Sequence, residues 1–503
     1  MIRLASSTLV ELDPRVSVPT YDRSQVRTGI VHVGVGGFHR AHQAMYLDQL
    51  MEQGQPGATE WGITGVGLLP HDRTMGEILN TQDCLYTLVV KHPGGQRTAR
   101  VIGSMIDYLF APDDPEAVLA RMSAPETRIV SLTVTEGGYH ANQVTGEFEV
   151  GDPGILADLD TARAASGTPT TAFGYIVEAL ARRRADGIAP FTVMSCDNIQ
   201  GNGDVAHAMI TAFATLRDPG LGAWIDRTVA FPNSMVDRIT PVTTDEDRAM
   251  VREEFGIDDG WPVVCEPFAQ WALEDHFELG RPALEHVGVQ MVTDVVPYEL
   301  MKLRLLNAGH QAICYLGYLS GYRYAHEVSQ DNLFATFLLA YMQIEAAPTL
   351  APVPGVDLDA YQHQLVERFA NPEIRDTLAR LCAETSDRIP KFVIPVIQHN
   401  LTHGGQVRLS ALVLASWARY AEGVDDKEQA IDIVDRRRDE LVERAHRQVQ
   451  EPLAFLEDHT LFGDLRDEAR FAEPYAEALK SLHTIGARAT LLAWQQGPHS
   501  TRD

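Results

Sequence analysis

Short apolar runs ending in glycine- or asparagine-rich loops alternate with helical periodicity through the first part of the chain. Ile30–Val33 runs into Gly34-Val35-Gly36-Gly37, and the pattern turns helical from Ala41 onward. Trp61–Leu68 ends in Leu69-Pro70-His71-Asp72-Arg73, and Arg128–Thr135 ends in Glu136-Gly137-Gly138-Tyr139. Phe191–Ser195 ends in the loop Cys196–Gly203, and Thr228–Phe231 is a further apolar run ahead of Pro232. Helical stretches such as Thr171–Arg184 separate these runs. The alternation predicts a doubly wound, Rossmann-type α/β domain: a mainly parallel sheet, helices on its faces, and ligands at the carboxyl ends of the strands.

Near residue 286 the character changes. Strand-like runs become sparse and long helical patterns take over, at Asp331–Ala346, Ser410–Glu422, Lys427–Gln450 and Glu473–His483. The pattern predicts a mostly α-helical second domain, dividing the chain into residues 1–285 and 286–503 with the boundary in the stretch Pro282–Pro297. The second domain opens with Tyr298–Cys314, where a leucine and alanine background carries Lys302, Asn307 and His310. At about 100° per residue, with Lys302 at zero, Glu299, His310 and Asn307 fall at roughly 60°, 80° and 140°. All four then share one face with Leu306. A lysine, an amide and an imidazole converging there suit the handling of a proton and a developing alkoxide; the same pattern also describes a solvated amphipathic face. Its place just after the boundary would put it on a cleft between domains, a common location for small substrates.

Composition narrows the class. The chain has 503 residues, enough for two or three domains, with 45% hydrophobic and 22% charged residues and no long biased tract. A net charge of −27 opposes general affinity for nucleic acid or anionic membrane. The five cysteines make no CxxC pair, no run of 18 apolar residues occurs, and the opening MIRLASSTLVELDPR has no apolar signal core. A cytoplasmic protein with reduced thiols and no membrane span is expected. The charged segment Asp425–Arg447 is expected to be an exposed helix with i,i+4 pairs, and the tail Gln495–Asp503 to fray.

Strand, glycine turn and helix in succession is the context of dinucleotide binding, where bare backbone approaches a pyrophosphate at a helix N-terminus. Gly34, Gly36 and Gly37 supply the turn, with Phe38 and Arg40 beside it; the third fingerprint position is His39 rather than a small residue. Arg40 is open to two roles, phosphate neutralisation or a structural cation. Asp72, after the second strand, is the candidate acceptor for the adenosine ribose and favours NAD, although it lies beyond the usual spacing of about 20 residues. His71 and Arg73 beside it leave NADP open. Asn198 sits at a strand end, Asp237 and Arg238 follow Phe231–Val236, and Arg375, Arg380, Arg388 and Lys391 form a basic cluster in the second half. Each has an ordinary structural reading as well: a turn residue, a mutual ion pair and a solvated face.

Four blocks in order carry a family resemblance: GVGGFHRAH at Gly34–His42, FPNSMVDRITP at Phe231–Pro241, VVCEPFAQWALED at Val263–Asp275 and KLRLLNAGH at Lys302–His310. In these the chain resembles the polyol-specific long-chain dehydrogenases. The resemblance implies hydride transfer between a polyol such as D-mannitol and NAD, giving the ketose D-fructose, by a monomer without a metal. It implies Lys302 as the base, Asn198 and Asn307 around the reacting oxygen, and His310 and Asp237 in binding or orientation. It further implies Arg380 and Arg388 near the hydroxyls and Glu299 as a proton relay. Family members often carry Lys where this chain has Arg388, and the two are not equivalent in contact geometry. A lysine is ordinarily protonated at neutral pH, with a pKa of about 10.4, so burial and a cationic nicotinamide would have to lower it. The alternatives are a hexuronate reductase, a dehydrogenase of another polyol such as D-arabinitol, and, in a different class, a non-catalytic NAD-binding sensor.

Overall fold

The computed structural model describes residues 1–141, 146–163 and 167–496; positions 497–503 of the tail expected to fray lie outside them. The chain divides into two compact units, Met1–Val295 and Val296–Asp503. The division lies within Pro282–Pro297 but after 285/286. The reason is a strand at Gln290–Val292, which pairs in parallel with Gln270–Glu274 and so stays with the first unit.

The central sheet of the first unit has five strands: β1 (Thr28–Val33), β2 (Gly62–Gly67), β3 (Met105–Phe110), β4 (Ile129–Leu132) and β5 (Thr192–Ser195). All pair in parallel, in the order β3-β2-β1-β4-β5. Helices α1 (Gly37–Ala41) and α2 (Gln43–Glu52) follow β1, α3 (Asp72–Thr81) follows β2, α4 (Ala172–Ala185) precedes β5, and α5 (Asn202–Arg217) follows it. Val31, Val33, Val130, Leu132 and Val193 share a core with Phe173, Ile176 and Leu180 of α4. Ile30, Ile63, Ile129 and Met194 share another with Ala44 and Leu47 of α2 and with Trp271. Burial on both faces is why these strands read as unbroken apolar runs. Each such side chain contributes about 1.5–3 kcal/mol, and truncating Phe173 would cost about 3–5 kcal/mol. The strand order reverses between β1 and β4, and the crevice at their carboxyl ends is where folds of this kind take ligands.

Thr228–Phe231 is not a strand. Helix Pro219–Thr228 ends there, Ala230 O only accepts one bond from Val193 N (3.0 Å), and pairing resumes at Ser234–Asp237. Pro232 has no N–H with which to extend a ladder.

The second unit is helical throughout. Its opening is not one α-helix: α6 (Val296–Met301) passes into a π-helical segment, Lys302–Asn307, and then α7 (Ala308–Leu319). All of α7 except Tyr318 is buried, and it packs against α8 (Arg408–Tyr420), which packs against Ala469–Ile485. The expected helix Asp331–Ala346 becomes Asn332–Ala340, capped by Asp331, followed by a second π segment at Tyr341–Ala346. The expected helix Lys427–Gln450 shrinks to Arg438–Arg447. The buried Asp425 carboxylate accepts from Lys427 N (2.9 Å) and Gln429 N (3.0 Å), and Asp435 accepts from Arg437 N (2.8 Å), so local side-chain bonds turn the chain before a helix forms.

His32 of β1 bonds Ser131 Oγ at 2.8 Å and Thr133 Oγ1 at 2.9 Å, and stacks on His39 of α1 with ring centroids 3.4 Å apart. Burial holds both imidazoles neutral, pushing His32 down to about 3 and His39 well below its usual value. Below about pH 6.5 the unfolded chain binds protons at these sites that the folded protein does not, so stability is lost as pH falls toward 3, by up to about 1.4 kcal/mol per pH unit for each ring. Replacing His39→Phe removes one of them. Denaturant melts of parent and variant at pH 4.5, 5.5 and 6.5 should show their difference moving in the variant's favour by about 1 kcal/mol per unit. Buried carboxylates titrate in both proteins and cancel in that comparison.

Candidate active site

At the end of β1 the backbone demands glycine. Gly34 has φ +88°, and a Cβ there would stand 2.2 Å from Thr133 O. Gly36 is different: it is extended, and a Cβ on it would find only Gly34 O, at 3.8 Å, leaving bare backbone facing open space at the start of α1. Gly37 begins α1, whose first amides have no intrahelical acceptor. Open glycine backbone, a helix N-terminus and the strand-order reversal together suit a pyrophosphate. Phe38 stacks on His42, with centroids 4.8 Å apart.

Arg40 is buried, with Nη1 donating to Trp261 O (2.5 Å) and Nε to Gly36 O (3.3 Å), over the Tyr86 ring. Burial pulls its pKa below the usual value. These contacts make Arg40 a cation that ties the glycine turn to the Trp261 loop. Asp72 is the first residue of α3; its Oδ2 accepts from Leu68 N (3.0 Å) and Leu69 N (2.8 Å), and Oδ1 lies 3.5 Å from His71 Nε2. Arg73 is taken up by a pair with Asp113.

The ends of β4 and β5 are bound together by a residue the sequence did not single out. The Asp197 carboxylate, buried, accepts from Val134 N (3.1 Å), Thr135 N (2.8 Å) and Tyr139 Oη (2.8 Å). Burial raises its pKa despite those three donors. Asn202 donates to Asp197 O (2.9 Å) and Ser234 O (2.8 Å), tying the same loop to Ser234–Asp237. Asn198 lies exposed on the loop between these two fastenings. The polar run Cys196–Gly203 announced a turn, but nothing in it told which side chain faces inward. Asp237 is buried at the end of its strand. Neighbouring Arg238 donates to Ala41 O (2.6 Å) and Glu266 O (3.0 and 3.2 Å), placing a cation on the carbonyl end of α1.

In the second unit Glu299, Lys302 and His310 are 5%, 8% and 8% exposed. The π segment changes the geometry expected for a regular helix. Closure from i to i+5 brings Asn307 back toward the line of Lys302, closer than the angle of roughly 140° expected for an α-helix. Asn307 Nδ2 is buried and has no hydrogen-bond partner among the described residues. An unsatisfied buried donor costs about 1–3 kcal/mol, and a ligand oxygen is one acceptor that would satisfy it. His310 stacks on Phe369 at 3.9 Å. The helix carrying Arg388, Thr385–Phe392, packs on the π segment. Arg388 donates to Arg380 O and Leu381 O, each at 3.0 Å, while exposed Arg380 forks onto Asp376 at 2.7 and 2.5 Å. Lys302, Asn307, His310 and Arg388 thus belong to one packed set of elements, with Arg380 at its rim. Among the described residues no group of three or more His, Cys, Asp or Glu could hold a metal ion.

Residues 28–286 match the family model of the mannitol dehydrogenase Rossmann domain, and residues 294–483 that of the mannitol dehydrogenase C-terminal domain. The chain is 48% identical over 494 residues to the mannitol 2-dehydrogenase of Phaeosphaeria nodorum, covering 97% of this chain and 85% of that protein. It is 47% identical to that of Aspergillus fumigatus, with 95% of each covered. Among solved structures, Pseudomonas fluorescens mannitol 2-dehydrogenase in ternary complex with NAD and D-mannitol aligns with a TM-score of 0.86 at 44% identity, covering 99% of this chain and all of that one. A substrate-free D-sorbitol dehydrogenase aligns at 0.90 and 37% identity, covering 97% of this chain and all of that one. The chain belongs to the mannitol dehydrogenase family.

Proposed function

We propose that this NAD-dependent polyol dehydrogenase interconverts D-mannitol and D-fructose, with Lys302 as the general base. The observation that carries the reading is a buried lysine one π-turn from a buried amide donor that has no hydrogen-bond partner among the described residues. The mannitol 2-dehydrogenases it resembles, one of them solved with NAD and D-mannitol, support the substrate. When bound, the nicotinamide takes up the hydride in oxidation and returns it in reduction. Lys302, in its neutral form, accepts the C2 hydroxyl proton. Asn307 and Asn198 donate to the oxygen as it gains charge, each contributing about 3 kcal/mol by analogy with oxyanion-hole donors. His310, held against Phe369, orients the same oxygen, and Glu299, one turn before Lys302, carries the proton onward. Asp237, Arg380 and Arg388 meet the remaining hydroxyls.

Gly34, Gly36, Gly37, Phe38 and Asp72 would hold the cofactor, with Arg40 shaping the turn rather than meeting phosphate. A neutral substrate is favoured over a hexuronate by one contact: the Arg380 guanidinium, the obvious partner for a carboxylate, already carries Asp376 along its Nε–Nη2 edge.

Lys302→Ala should lose turnover by roughly 10³-fold or more while retaining NAD binding by fluorescence titration; normal turnover would sink the mechanism. Asn307→Ala should lower kcat by roughly 10²-fold. Gly34→Ala, which sets a methyl against Thr133 O, should weaken NAD binding by more than an order of magnitude. A panel of D-mannitol, D-sorbitol and D-arabinitol with NAD, and of D-fructose and fructuronate with NADH, assigns the substrate. Preference for fructuronate would overturn the neutral-substrate reading.

A further inference from the structure

The segment bearing Lys302 is held at two points. Tyr298 Oη donates to Pro354 O at 2.8 Å, and Arg304 Nη1 donates to Thr349 O at 2.5 Å. Both acceptors lie just beyond the second π segment, Tyr341–Ala346, and that anchor is itself fixed. Thr349 Oγ1 bonds Ala346 O at 2.6 Å, and Asn400 Nδ2 bonds Glu345 O at 2.9 Å. The fully buried Glu345 carboxylate accepts from Leu409 N (2.6 Å), Ser410 N (2.8 Å) and Ser410 Oγ (2.5 Å).

Arg304 is an odd residue for such a place. It is half-buried, burial pulls its pKa below the usual value, and no carboxylate answers it among the described residues. A guanidinium desolvated for a single carbonyl contributes little net stability. Its effect is geometric. A π turn contains more backbone than an α turn and persists where neighbours over-determine it. Relaxation of Lys302–Asn307 to α geometry would rotate the residues on one side of the segment by about 100° relative to the other. Helix α7 is buried on nearly every side and cannot turn, so the rotation would fall on Lys302.

We propose that Arg304 is a positioning residue: its bond to the Thr349 carbonyl holds Lys302–Asn307 in π register and keeps the Lys302 amine and the Asn307 amide on one line. The proposal rests on the assignment of Lys302 as base. It is tested in the full-length protein with NAD and D-mannitol. Arg304→Met should lower kcat by roughly 10- to 100-fold, with the Kd for NAD and the KM for mannitol within about threefold of the parent. The ascending limb of kcat against pH should be displaced, because the base no longer sits in the same surroundings. Arg304→Lys, which keeps a donor, should recover most of the loss. A lower melting temperature with kcat and the pH limb unmoved means that Arg304 only stabilises, and overturns the proposal. If Arg304→Met does not fold, Arg304→Gln, polar but too short to reach Thr349, is read in the same way; failure of both to fold makes Arg304 a folding residue and also overturns it. Lys302→Ala run alongside separates the two ideas. Normal turnover there defeats the base assignment, whereas an inactive Lys302→Ala with an unaffected Arg304→Met defeats only the positioning role.

Discussion

The chemistry proposed for the second unit depends on the i to i+5 closure at Lys302–Asn307. In a regular helix the lysine and the asparagine would leave at divergent angles, and only one could meet a given oxygen. The wider turn brings both to one side at the expense of backbone geometry, an exchange common at functional sites. The helix that follows explains why the turn does not relax. Ala308–Leu319 is apolar nearly all round and buried accordingly, so its register is fixed by packing. The segment ahead of it is tethered by Tyr298 and Arg304 to carbonyls beyond the second π segment. The irregular residues lie between two fixed ends.

The first unit solves a comparable problem differently. Its glycine turn and strand-end loops have few apolar side chains of their own, and buried charges hold them through backbone atoms. Arg40 reaches Trp261 O, Arg238 reaches Ala41 O and Glu266 O, and Asp197 gathers Val134 N and Thr135 N. Asp259 does the same for Thr87 N (2.6 Å) and Trp261 N (2.8 Å), which in turn fixes the loop that accepts Arg40. Such groups lose hydration on burial and return little net stability. What they supply is direction, since a charged donor or acceptor aimed at several backbone groups permits only one loop conformation.

The doubly wound sheet was legible where a buried apolar run ends in a glycine or asparagine loop, as at Ile30–Val33, Arg128–Thr135 and Phe191–Ser195; the edge strand Met105–Phe110, only partly buried and ending at Ala111-Pro112, gave no such pattern. The helical second half was legible for the same reason of period. What failed were the places where a local side-chain bond or a proline overrode the pattern: Asp425 curling Lys427–Gln429, Pro232 ending Thr228–Phe231, and Gln290–Val292 joining a sheet through partners far back in the chain. The candidate site was legible as residues but not as geometry. Lys302, Asn307 and His310 stood out on a helical wheel, yet the wheel assumed a uniform 3.6-residue turn, and nothing in KLRLLN signals a π segment. Asp197 and Arg304 were invisible because their roles are carried by contacts with backbone atoms, which no side-chain pattern records.

The charge around the basic cluster bears on the substrate. Arg380 is more than half exposed, so its pair with Asp376 is worth at most about 1 kcal/mol. A substrate carboxylate could therefore displace Asp376 from the guanidinium at small direct cost. Asp376, however, is only 11% exposed and sits one helical turn from Arg380, so its charge would remain beside the incoming carboxylate. Two carboxylates sharing one guanidinium repel each other, and the second lowers the field that would attract the first. Arg388 offers limited relief, because one arm of its guanidinium is committed to the carbonyls of Arg380 and Leu381. A neutral polyol meets none of this opposition. At the proposed site its hydroxyls would accept from the remaining donors of Arg388 and donate to Asp376, so the same three side chains that resist an anion would offer both halves of the hydrogen bonding a sugar alcohol requires.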